Sequence, residues 1–356
     1  MPRDLAPPIP PTDTLTRRPV DHPTFASDKV GVLLLNLGTP DGTSYWPMRR
    51  YLKEFLSDRR VIEANPIVWS LILNLIILTT RPRRSGRLYE AIWNRERDES
   101  PLRTISRDQA EGIARILGDE LGDKVVLDWG MRYGNPSTES RIKALADAGC
   151  RRILLFPLYP QYSATTTATA CDAAFRALMK MRWQPAVRVV PQYYDDSTYI
   201  DALARSIERH LAGLGWDPEV VVTSYHGLPK EYLLKGDPYH CFCAKTTRLL
   251  KERLGWTDRR LVVTFQSRFG PDEWLKPYTD ETVEGLAKSG IKRLAVVAPG
   301  FSADCLETLE ELDGEIREAF LHNGGEHFTY IPCLNAEPDH LALLAGIVRR
   351  ELGGWI

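Results

Sequence analysis

The 356-residue chain is predicted to be an α/β protein of two similar domains, each built on a four-stranded parallel sheet flanked by helices. Three observations predict it. Short Val/Ile/Leu-rich runs alternate with helix-length segments, and continuous apolar runs of this kind mark parallel strands buried on both faces. The runs fall in two groups of four, meeting near residue 190. The length fits two domains of ordinary size, and 43% hydrophobic content supplies a large core.

In order, the first group is VGVLLLNLG from Val30, KVVLDWGMRY from Lys124, RILLFPLYPQY from Arg152 and VRVVPQYY from Val187. The second is EVVVTSYHG from Glu219, RLVVTFQSRFG from Arg260, IKRLAVVAPG from Ile291 and FTYIPCLN from Phe328. Residues 1–28 hold seven prolines and both charge signs without an apolar stretch of signal-peptide length, and read as a disordered leader. The expected division is a first domain over 29–188, a second over 189–328, and a closing strand and helix over 329–356. In that last segment Leu341, Leu343, Leu344 and Val348 suit a helix packed back across the domains.

With 46 basic and 47 acidic residues the chain lacks the cationic excess of a nucleic-acid binder. The cysteines at 150, 171, 241, 243, 305 and 333 lack disulfide-framework spacing, which points to a reducing compartment, the cytoplasm. No G-x-G-x-x-G follows a strand and no phosphate-binding G-x-x-x-x-G-K is present, so nucleotide binding has no support. The apolar run Ile67–Leu78 is broken by Ser70 and Asn74 and falls short of the roughly twenty residues that span a bilayer. It reads either as a core helix or as an exposed lip with Arg81, Arg83 and Arg84 as a basic collar.

Ligands of open parallel sheets bind outside the carboxyl ends of the strands. That rule selects Asn36–Pro40, Arg132 and Tyr133, Tyr159–Ser163, Tyr225 and His226, Gln266–Arg268, and Phe301–Glu311. His226 ends a strand and is followed at once by glycine. Such an imidazole takes protons or ligates a divalent metal near neutral pH, or else serves as a structural hydrogen-bonding group. Asp304, Glu307 and Glu311 recur at helical spacing, forming either a path for cations and protons or a solvated acidic face.

The segments LLLNLGTPDG, KEFLSDRRVI, MRYGNPS, PLYPQYSATTT, SYHGLP, TFQSRFGPDEWLKPYTDE and PGFSADCLETLEELD together resemble the ferrochelatases, most closely those typical of gram-negative bacteria. The resemblance runs from about residue 30 to 350 with the motifs in order. It implies two Rossmann-like domains enclosing a porphyrin cleft, and insertion of ferrous iron, as substrate, into protoporphyrin IX. By motif, His226 would accept a pyrrole proton or ligate iron, with Glu307 opposite it and Asp304 and Glu311 extending an acidic path. Leu37, Trp274, Phe301 and Tyr193 would line the macrocycle, Arg132 and Tyr133 the pocket wall. Ser100 and an arginine among residues 81–84 would meet propionates. Cys305 stands where many relatives carry histidine. Ala164 replaces a cluster cysteine and no cysteine-rich tail follows, so no [2Fe-2S] cluster is expected. A monomer touching the inner membrane peripherally through residues 67–78 is expected. The alternatives are a chelatase for another metal or tetrapyrrole, and a non-catalytic tetrapyrrole carrier.

Overall fold

The computed structural model describes residues 29–356; the leader expected over 1–28 lies outside them. Eight strands form two parallel sheets of four. The first joins β1 (Lys29–Thr39), β2 (Val125–Gly134), β3 (Cys150–Pro157) and β4 (Ala186–Val189) in the order β2-β1-β3-β4. The second joins β5 (Val220–His226), β6 (Leu261–Gln266), β7 (Arg293–Val297) and β8 (His327–Ile331) in the order β6-β5-β7-β8. The two orders are the same topology repeated. Each expected run supplies one strand; the apolar runs of the inner strands β1, β3, β5 and β7 are buried on both faces, while the edge strands β2 and β4 are only partly covered. The strands completing the sheets end at Val189 and Ile331, so boundaries at 188 and 328 would cut β4 and β8.

The helices of the first half are α1 (Tyr45–Leu56), α2 (Pro66–Ile72), α3 (Leu78–Ile92), α4 (Pro101–Leu121), α5 (Thr138–Asp147) and α6 (Thr169–Met179). Those of the second are α7 (Ser197–Ala212), α8 (Lys230–Leu234), α9 (Tyr239–Leu254), α10 (Thr279–Lys288), α11 (Arg317–His322) and α12 (Pro338–Glu351). Their starts follow capping chemistry. Asn65 accepts the amides of Ile67 and Val68 ahead of α2, and Ser100 accepts that of Arg103 ahead of α4, with proline first in both helices. Gly255 stops α9 in the left-handed conformation that L-residues avoid.

The largest apolar core spans both halves, joining β1, β3 and α4 to α7, β5, β7 and α12. The halves exchange helices. After β4 the chain crosses to place α7 against α9 and β8; after β8 it returns to place α12 against α4 and α7. The return is fastened at its end, where Arg152 donates to the carbonyl of Trp355 at 2.6 Å and Arg349 forks onto Glu120 at 2.7 and 2.5 Å. Loops beyond the strand ends also meet helices of the opposite half. Gln161 donates to Thr246 at 3.0 Å, and Gln109 donates to the carbonyls of Ser302 and Asn335, both at 3.0 Å.

Candidate functional site

His226 is the last residue of β5, paired in register with Gln266 at the end of β6. Gly227 lets the chain turn here: a Cβ would stand 2.6 Å from the Gln266 carbonyl oxygen and 3.1 Å from the Trp274 ring. The same approach lays the Trp274 ring against Gly227, the residue that follows the histidine. Nδ1 of His226 is 2.7 Å from the carbonyl oxygen of Gly227. A carbonyl only accepts, so Nδ1 carries the proton in the neutral ring and Nε2 keeps its lone pair.

Opposite lies Glu307–Ile316, wound as a π-helix. Extended π-winding is rare and appears mostly at functional places. Gln266 fixes its position. Its amide donates to the Glu307 carbonyl at 2.7 Å and to the Glu311 carboxylate at 3.3 Å, while its own oxygen accepts from Ser224 at 2.7 Å. Ser267, with φ at 64°, donates to Glu311 at 2.6 Å. Burial raises the Glu311 carboxyl above its usual range, and the charge of Glu307 adds to it; the Ser267 hydroxyl and the charge of His226 oppose the rise. Histidine and two carboxylates therefore share one electrostatic neighbourhood.

Asp304 is placed elsewhere. It precedes the π-helix, 6% exposed, and accepts from Tyr330 at 2.7 Å, Thr308 at 3.0 Å and Asn335 at 2.6 Å. The expected three-carboxylate stripe is thus reduced to Glu307 and Glu311, because Asp304 is committed to holding the loop before them. Cys305 is buried beside Glu307; burial and then that charge push its thiol up, so it stays protonated. Among the described residues no group of three or more His, Cys, Asp or Glu side chains is arranged to hold a metal.

The first half contributes the facing wall. Leu37 packs with Leu306 on a cluster containing Tyr51, Tyr89 and Tyr133. Tyr51 and Tyr89 are near enough to Glu307 for its charge to add to the burial that holds both phenols protonated. Phe301 bridges the second core and a smaller cluster of Leu102, Met131, Ala303 and Cys305. Arg132 and Tyr133 are turned to Asp58: Tyr133 donates to it at 2.9 Å, and the guanidinium pairs with it while lying 4.3 Å from the Tyr133 ring. Tyr193 is a core residue at 2% exposure, packed edge-on against Phe156 and Tyr199, and does not line the site. Ser100 is 1% exposed and its oxygen caps α4, which accounts for the residue type locally.

Above the site, α2, a π-turn Leu73–Ile77 and α3 form the lip. Ile67, Val68, Leu71, Ile72, Leu75 and Ile76 are exposed, while Leu73 and Leu78 are buried. At its base the Arg81 guanidinium is 4.9 Å from the Phe269 ring, and Arg84 lies within electrostatic reach of Glu310. No helix among the described residues is long and apolar enough to cross a membrane. Gln266 and Ser267 lay within the strand-end selection but carried no assigned role. Tyr51 and Tyr89 carried no signal at all, being helical residues remote from any strand end.

The Ferrochelatase family profile matches residues 29–352. Ferrochelatases of Allorhizobium ampelinum and Rhizobium meliloti are 63% and 62% identical over 338 and 336 residues, covering 95% and 94% of this chain and 98% of each relative. Among solved structures, SirB from Bacillus subtilis with Fe3+ superposes with a TM-score of 0.54 at 13% identity, over 91% of this chain and 96% of that one. The sirohydrochlorin chelatase SirB from Bacillus subtilis subspecies spizizenii in complex with cobalt gives 0.51 at 12%, over 91% and 97%. At such identities the likeness concerns the fold alone, a class II chelatase-like α/β architecture. The sequence relationship goes further, and with the family profile spanning both sheets and every element of the site, this chain belongs to the ferrochelatase family.

Proposed function

We propose a division of labour for the ferrochelatase reaction, in which ferrous iron enters protoporphyrin IX, two pyrrole protons leave and protohaem is formed. His226 works through Nε2, taking a pyrrole proton or holding the iron, and Glu307 faces it, with Glu311 receiving protons behind. The observation that carries this reading is the Nδ1 contact with the Gly227 carbonyl, which leaves a lone pair on the other ring nitrogen, next to two carboxylates. A dication replacing two protons keeps the charge of the ring site unchanged, so a base and nearby anions suit both halves of the exchange. The raised proton affinity of Glu311 makes it a better acceptor than a solvated carboxylate.

Leu37, Trp274 and Phe301 would line the macrocycle, and Arg81, in place of the cap Ser100, is the better-placed propionate partner. The exposed apolar lip would rest on a membrane surface, from which a greasy substrate enters directly, the enzyme acting as a monomer in the cytoplasm. Glu307→Gln keeps the shape and removes the anion. In anaerobic assays with ferrous iron and protoporphyrin IX, kcat is expected to fall about a hundredfold or more with KM for porphyrin little changed. An undiminished kcat would remove Glu307 from the chemistry.

A further inference from the structure

The first half also carries a cleft of about 900 Å³ between α1, the turn Ser57–Ala64 and α6. Arg132 forms part of its lining, and its side chain is only 10% exposed, fixed by Asp58 and donating to Thr169 at 2.6 Å. Asp58 also shapes the rim: its carboxylate accepts the Arg60 amide at 2.8 Å, and its carbonyl accepts those of Val61 and Ile62. The rim is tied to the second half by Tyr232, which donates to the Val61 carbonyl at 3.0 Å, and by the Lys235–Glu63 pair at 2.7 Å.

The charges around this cleft do not balance. Arg60 is paired with Asp172, Arg132 with Asp58 and Glu63 with Lys235. That leaves Arg50, Lys53, Arg59 and Arg176, which make no ion pair among the described residues, against the single carboxylate of Glu54, itself 3.9 Å from Arg132. A second cleft of about 420 Å³ continues from the first, sharing Glu54, Arg132 and Arg176 and reaching the first turn of α5. Cations crowded into a concavity repel one another and concentrate anions. No aromatic ring lines the larger cleft and Ala64 is its one apolar residue, so it suits neither a porphyrin nor a nucleobase.

We propose that this cleft is a binding site for a small polyanion, its charge borne on several carboxylate or phosphate oxygens, which match guanidinium groups in paired hydrogen bonds. Titration calorimetry on the metal-free protein at low ionic strength, with citrate and with inorganic phosphate as probes, tests it. At least one probe is expected to bind saturably, more weakly as salt rises. Citrate alone would assign the site to polycarboxylates, phosphate alone to phosphate carriers, and both to the shared chemistry. The Arg59→Ala/Arg176→Ala variant, changed at exposed positions, is expected to bind about tenfold more weakly or worse, each lost charge-assisted contact being worth that order. Its protoporphyrin binding, followed by fluorescence quenching, should be unchanged. Arg81→Ala, altered at the lip, should bind the probe as the parent does. Absence of saturable binding of either probe, parent-like binding in the double variant, or loss only in Arg81→Ala would overturn the proposal.

Discussion

At Glu311 burial and the neighbouring carboxylate push toward protonation, while one short hydrogen bond from Ser267 and the charge of His226 push back. The hydroxyl favours the anion, so removing it raises the carboxyl pKa further. Ser267→Ala is therefore expected to move the acid limb of the kcat/KM–pH profile to higher pH, with the alkaline plateau and porphyrin affinity nearly unchanged; a limb at the parental pH would show that Glu311 does not titrate in the rate. His340 offers a test of stability in place of rate. It is 1% exposed, Nδ1 lies 2.6 Å from the carbonyl of Asn335, and burial brings its pKa down to about 4 from 6.5, with that carbonyl partly opposing the fall. In the unfolded chain it takes a proton once pH drops below its ordinary value, whereas in the folded chain it resists until about 4. Its contribution is thus complete above the ordinary value and lost as pH falls through that window, amounting to about 3 kcal/mol. His340→Gln should flatten this part of the acid-side loss, read as the difference from the parent in urea unfolding at neutral and acidic pH. Parallel slopes would place the sensitivity elsewhere. Because Asn335 also binds Asp304, the same residue braces the loop that leads into the π-helix.

At the scale of elements, π-winding shapes both the acidic segment and the lip. An α-helical stripe through Asp304, Glu307 and Glu311 assumes regular turns, but the helix begins only after Asp304 and winds more widely. In the lip the π-turn at Leu73–Ile77 rotates the faces, so one apolar run buries Leu73 and Leu78 yet exposes Leu71, Ile72, Leu75 and Ile76. Hydrophobic periodicity at 3.6 residues cannot register such a phase change, and so the run could be read as core or as lip. A membrane role predicts that Leu71→Glu/Leu75→Glu abolishes flotation with vesicles. Each leucine withdrawn from an apolar surface costs about 2 kcal/mol, more than tenfold in partition apiece. Turnover with detergent-solubilised porphyrin should persist, since both side chains point to solvent. Undiminished flotation would end the lip's part in membrane binding.

Across the whole molecule, the strands were legible because most carry Val/Ile/Leu-rich runs, and the strand-end rule selected His226, Gln266 and the segment from Phe301, which the fold brings to one rim. The site's far wall was not legible. Tyr51 and Tyr89 reach Glu307 only because the two halves close on each other, and no local pattern records that approach. Tyr193 was misplaced for the related reason that an aromatic after a strand looks the same whether it faces a cleft or the core. The exchanged helices α7 and α12 bind the halves into one core, which gives the histidine side and the tyrosine side a common frame. In the proposed reaction His226 supplies chemistry through Nε2 while apolar surfaces supply most of the porphyrin affinity. The most direct measurement is His226→Ala, with ferrous-iron insertion kinetics run beside porphyrin titration by fluorescence quenching on the same folded preparation. The expected result is that kcat is lost while the porphyrin dissociation constant stays within a few fold of the parent. A near-parental kcat would contradict it, as would loss of porphyrin binding together with loss of the fold, which would make His226 a structural residue.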